Sequence, residues 1–103
     1  MDIKPGVKVH GVSNEMVLCA VIVNSVFVSY GITPVITSVC EGVHSKTSLH
    51  YTGDAIDFRR RDIPVKTISS LVHSLKQALG ADYDVVLEKT HIHVEFQPKG
   101  GIT

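Results

Sequence analysis

Two short stretches of the chain concentrate side chains that bind metals and move protons. One is Ser48-Leu49-His50-Tyr51-Thr52-Gly53-Asp54-Ala55-Ile56-Asp57; the other is Glu88-Lys89-Thr90-His91-Ile92-His93-Val94-Glu95. Imidazole and carboxylate groups suit a borderline divalent ion such as zinc. Three protein ligands, with a fourth position left to water, make the arrangement of a hydrolytic zinc centre. His91 and His93 by themselves are a weak signal, because a half-exposed strand alternates polar and apolar residues without any ion. His50 and Asp57 strengthen it, since Gly53 and Ala55 between them are small enough to let two ligands approach one ion. An ionised Asp57 in the otherwise apolar run Ala55-Ile56-Asp57-Phe58 also needs a partner, and a cation supplies one.

These residues must be held by elements legible in the pattern. Ser13 is placed to N-cap a helix, Glu15 suits its first turn and Gly31 its C′ position, which predicts a helix over about 14–30. Its valines disfavour helix, but its length outweighs them. Pro34 then leads into a strand, Val35-Ile36-Thr37-Ser38-Val39, and the polar, Gly-bearing stretch Cys40–Thr47 reads as a loop ending near His50. Ala55–Phe58 reads as a second strand with Ile56 and Phe58 on one face, Ala55 and Asp57 on the other. Pro64 marks a helix start; Val65, Ile68, Leu71, Val72, Leu75 and Leu79 form its apolar stripe, and Gly80 ends it.

Asp84–Glu88 and His91–Phe96 then form a hairpin around Lys89-Thr90. That register sets Glu88 opposite His91 and Val86 opposite His93. Ile92, Val94 and Phe96 face the core, while Glu88, His91, His93 and Glu95 share the other face. Lys-Thr is not a favoured two-residue turn, so a bulge with a shifted register is the alternative. The expected fold is a single α+β domain over 1–103: two helices on one face of a small, mainly antiparallel sheet, and a zinc site on the other.

Composition limits what such a domain does. A chain of 103 residues buries somewhat over ~60% of its unfolded surface, enough for one core. With 44% apolar and 19% charged residues it is globular. Zero formal net charge argues against a nucleic-acid partner, which asks for a basic face. Cys19 sits in an apolar run and reads as a small buried hydrophobe rather than half of a bridge to Cys40. Met1–Gly6 lacks the order of a signal peptide. The apolar run 16–32 is short for a membrane span and is interrupted by Asn24, Ser25 and Ser29, so a core helix and no membrane partner are expected.

Ser48-x-His50-x-x-Gly53-x-Ala55-x-Asp57 followed by His91-x-His93 resembles the signature of the zinc D-Ala-D-Ala carboxypeptidase family, within the broader fold of lysostaphin-type enzymes and the hedgehog signalling domain. The likeness extends through Val35-Ile36-Thr37-Ser38 and Phe96-Gln97-Pro98-Lys99, and it is greatest to the short single-domain members that bacteriophages encode. It implies zinc held by His50, Asp57 and His93, with His91 beside the ion to stabilise or deprotonate the attacking water. In the dipeptidase branch the base is the Glu of Glu-x-x-His, here Glu88, and that motif would make His91 the ligand. The hairpin puts both histidines on the metal face and leaves the choice open; His93 is the ligand carried forward. Lys46, Arg59 and Tyr51 are the substrate-binding candidates, and Glu95 is placed to orient a ligand from outside.

The implied activity is zinc-dependent hydrolysis of peptide bonds in bacterial peptidoglycan, as carboxypeptidase or endopeptidase, with the stem peptide as partner. The enzyme is expected to be a monomer, made in the cytoplasm, in a phage-infected host for the phage-type members, and acting on the cell wall. The competing class is a non-catalytic zinc module of the same fold.

Overall fold

The computed structural model describes residues 1–9, 11–40 and 55–98. Strand β1 is Asp2–Ile3, helix α1 Asn14–Ser29, β2 Val35–Cys40, β3 Ala55–Arg59, helix α2 Val65–Leu79, β4 Tyr83–Leu87 and β5 His91–Phe96. The five strands form one sheet in the order β1-β2-β3-β5-β4. Only the β1–β2 pair among them is parallel. The α+β architecture expected from the sequence is present.

Helix α1 starts where Ser13 caps it, the hydroxyl accepting from Met16 N–H at 3.2 Å. It ends at Tyr30, and Gly31 follows with φ +76°, a conformation that costs glycine little. Met16, Cys19, Val23 and Phe27, at spacings of three and four, are all fully buried. Helix α2 buries Ile68, Leu71, Leu75 and Leu79 in the same way. Val65, the first of its expected stripe, is 87% exposed instead. Tyr30 ties the helices together, its hydroxyl reaching Ser70 O at 3.1 Å and Ser74 Oγ at 2.7 Å.

Both helices pack on one face of the sheet, in a single cluster with Ile36, Ile56, Phe58, Val85, Ile92 and Val94. Phe27 of α1 meets Phe58 of β3 at the centre, ring centroids 6.1 Å apart. Burial of this face is the main stabilising contribution. It also decides which way every strand side chain points, since neighbours along a strand alternate between faces. The residues between the core positions are thereby driven to the far side of the sheet.

The hairpin register is the one that alternation predicts. Val86 stands opposite His93 and Leu87 opposite Ile92. Glu88 N–H donates to His91 O at 2.8 Å, closing the Lys89-Thr90 connection. No non-glycine residue among those described has positive φ, so the turn is not the primed type that both central residues at φ > 0 would make.

Two features had no clear sequence signal. Strand β1 is only two residues long; it is fixed by Asp2 N–H to Pro34 O and Lys4 N–H to Ile36 O, each 2.9 Å. Strand β2 carries a bulge: Ile36 pairs with Phe58 but Ser38 with Asp57, so the register shifts across Thr37. The extra residue lets both Ile36 and Val39, three apart, reach the helix-covered face. Thr37 Oγ1 donates to Asp57 O at 3.3 Å beside it.

Candidate metal centre

The face away from the helices carries Asp57 from β3 and His91 and His93 from β5. Asp57 is directly opposite His93, and Arg59 opposite His91. Paired residues in an antiparallel sheet project to the same side with Cβ atoms about 4.5–5.5 Å apart, so the register alone delivers Asp57 and His93 to one point. Each of Asp57, His91 and His93 offers a ligand atom within 4.8 Å of the other two, and these three could hold a metal ion. All three are half-buried, with side-chain exposures of 17%, 30% and 27% respectively. One carboxylate and two imidazoles, partly open to solvent, fit a borderline divalent cation.

The ring nitrogens are differently engaged. His93 Nδ1 is 2.7 Å from Asp57 Oδ1, and its Nε2 is 3.0 Å from Glu95 Oε1. His91 turns Nε2 toward Asp57 Oδ2 at 3.7 Å, while its Nδ1 lies 3.0 Å from Thr90 Oγ1. In both histidines the nitrogen away from Asp57 has its own partner outside the cluster. Glu95 is in turn bound by the Gln97 side-chain amide.

Burial alone would lower the His93 pKa. The hydrogen bonds to Glu95 and Asp57, together with their charges, outweigh it and hold the imidazole above its usual value near 6.5. The two carboxylates flanking the ring thus favour its protonated form. A cation competes with that proton, because ligating imidazole must be neutral.

Of the expected site residues, Asp57, His91 and His93 come together. Glu95 takes the outer position expected of it. Glu88 is opposite His91, as the hairpin required, but its exposed carboxylate stands outside the cluster. Its carbonyl accepts from Arg60 Nη1 at 2.6 Å. Arg59 shares the face of Asp57, and its guanidinium is anchored by Asp62, with Nε and Nη2 at 2.9 and 2.6 Å from Oδ2. His50, Lys46 and Tyr51 lie outside the described residues.

Thr90 and Gln97 were not singled out from the sequence. A threonine preceding a histidine, and a glutamine two residues after a glutamate, are too common to signal a site. Cys19, read as a buried hydrophobe, is that, with burial pushing its thiol up to about 12. No described helix is long and apolar enough to cross a membrane. No family model, curated protein or solved structure matches the chain.

Proposed function

We propose that the chain is a zinc-dependent peptidase that hydrolyses peptide bonds of bacterial peptidoglycan, as a carboxypeptidase or endopeptidase. The observation that carries the reading is the meeting of Asp57, His91 and His93 on the sheet face opposite the core, with each histidine's outward nitrogen already partnered. A structural zinc site is usually closed and rich in cysteine; this donor set has neither property. The motif Ser48-x-His50-x-x-Gly53-x-Ala55-x-Asp57 with His91-x-His93 adds the family likeness and brings in His50 as a ligand.

Asp57 and His93 would hold the ion with His50. When bound, zinc supplies a water of lowered pKa and polarises a substrate carbonyl. His91 is suited to proton transfer. If its Nδ1–H donates to Thr90 Oγ1, the lone pair is on Nε2, on the side facing Asp57. Glu88, one strand away and opposite His91, would with it take the proton of the attacking water and return it to the leaving amine. Arg59, steadied by Asp62, has guanidinium N–H groups left to meet a peptide carboxylate, and Lys46 and Tyr51 complete the substrate-binding set.

A second reading, a non-catalytic metal module, is favoured by one observation: the Glu88 carboxylate is exposed and outside the cluster. The two are separated by offering zinc-loaded protein both intact sacculi and synthetic D-Ala-terminated peptides, with mass analysis of the products. New amino termini or released D-Ala, abolished by chelator, are expected of the peptidase. Intact substrates across a broad range of wall chemotypes, with zinc still bound, would leave the module.

A further inference from the structure

We infer that Glu95, itself held by Gln97, is a positioning residue that fixes the His93 ring for metal binding through Nδ1. The inference rests on the metal reading of the cluster and concerns a residue outside it. His93 has two nitrogens and both are engaged, Nδ1 with Asp57 Oδ1 at 2.7 Å and Nε2 with Glu95 Oε1 at 3.0 Å. The nitrogen beside Asp57 is the one that faces the ion. For Nδ1 to present its lone pair there, the ring proton must be on Nε2, and Glu95 is the acceptor that keeps it there. A carboxylate in that position also orients the ring and makes the ligating nitrogen more basic.

The surroundings argue that Glu95 is not there for the sheet. It stands directly opposite Asp84 on one neighbouring strand, a like-charge placement that costs stability. On the other neighbour it faces Ala55, whose small side chain offers no polar partner. The Gln97 amide donates to Glu95 Oε2, leaving Oε1 for the histidine, so the carboxylate is anchored at one oxygen and used at the other. Gln97 lies just past the end of β5, its own N–H bound to Asp82 O at 2.6 Å, which fixes the backbone that carries it. Thr90 Oγ1 lies 3.0 Å from His91 Nδ1, the nitrogen of that ring away from Asp57.

The test is zinc binding to the full chain, measured by competition with a chromophoric chelator, together with nitrogen-15 NMR of the histidine rings. Glu95→Ala is expected to weaken zinc binding about 10–100-fold, the usual consequence of losing an outer-shell partner. Glu95→Gln keeps an acceptor oxygen and is expected to recover part of the loss. Gln97→Ala is expected to weaken binding less than Glu95→Ala. In the zinc-loaded wild type, His93 should carry its proton on Nε2.

Unchanged zinc affinity in a folded Glu95→Ala protein would overturn the inference and leave the metal reading standing. A His93 proton on Nδ1 in the zinc-loaded wild type would do the same, and that spectrum decides the matter even if Glu95→Ala fails to fold. A wild type that binds no zinc would instead remove the metal reading itself.

Discussion

Replacing Asp57 with Asn keeps the size and shape of the side chain but removes the charge that both histidines face. In the metal-free protein, the loss falls mainly on the 2.7 Å contact with His93. Hydrogen bonds with a charged partner contribute about 1.5–3 kcal/mol. The pair is partly open to water, His93 at 27% and Asp57 at 17% exposure, so screening sets the expectation near the lower end, about 1.5–2 kcal/mol. The pH dependence follows from the raised His93 pKa. Because the folded state holds that proton more tightly than the unfolded chain, the contribution is complete below about pH 6.5 and is lost as the pH rises through the raised folded value. Chelator-treated Asp57→Asn should therefore melt roughly 6–16 °C below the wild type near pH 6. The gap should narrow near pH 9, where the imidazole is neutral and has a single ring proton to share between Asp57 and Glu95. Zinc at about a hundred times its dissociation constant should add about 2.7 kcal/mol to the wild type and little to the variant. Calorimetric melts at the two pH values, with and without zinc, measure all of this. Equal destabilisation at both pH values, or none near pH 6, would refute the ion-pair account of the site.

Other perturbations probe the ligands, the chemistry and the core. The purified protein should take up one zinc per chain, and His91→Ala and His93→Ala compared by competitive titration should identify the ligand as the variant that loses at least about 100-fold in affinity, beyond the outer-shell range. Glu88→Gln should retain zinc and fold but cut peptide hydrolysis on the order of 100-fold, as loss of a general base does; an unchanged rate would leave His91 as the acid–base group. Phe58→Ala removes a fully buried ring from beneath Phe27 and should cost about 3–5 kcal/mol in urea unfolding; a cost under about 1 kcal/mol would mean the core is not centred there.

Much of this arrangement was legible in the sequence because two periodicities overlap in it. Ile92 and Val94 alternating with His91, His93 and Glu95 fix both the core face and the site face of β5, and Ile56 and Phe58 do the same around Asp57. A strand with one buried face has a strongly specified register, so Val86 opposite His93 could be anticipated despite an unfavourable turn dipeptide. The helices were readable from Ser13, Gly31 and Gly80 together with their stripes. The bulge at Thr37 was not. Its trace is the three-residue spacing of Ile36 and Val39, and a six-residue strand with apolar residues at both parities fits a bulge or burial on both faces equally well. Strand β1 was invisible because two residues carry no period. Thr90 and Gln97 were missed because a hydrogen bond from a neighbour depends on rotamers, which residue order does not specify.

The interleaving of site and core within single strands constrains how this protein can change over time. Along β3 and β5, every group of the cluster is flanked by a residue that holds the helices in place: Asp57 by Ile56 and Phe58, His93 by Ile92 and Val94. A deletion or insertion of one residue inside either strand would send the histidines into the helix-covered face and the apolar side chains into solvent at once. A register shift in these strands cannot move the site without moving the core with it. Point substitutions can tune the face that binds; changes of length are confined to the connections between strands. New specificity in descendants of this chain should therefore arise by remodelling its loops, with the two central strands inherited as one indivisible piece.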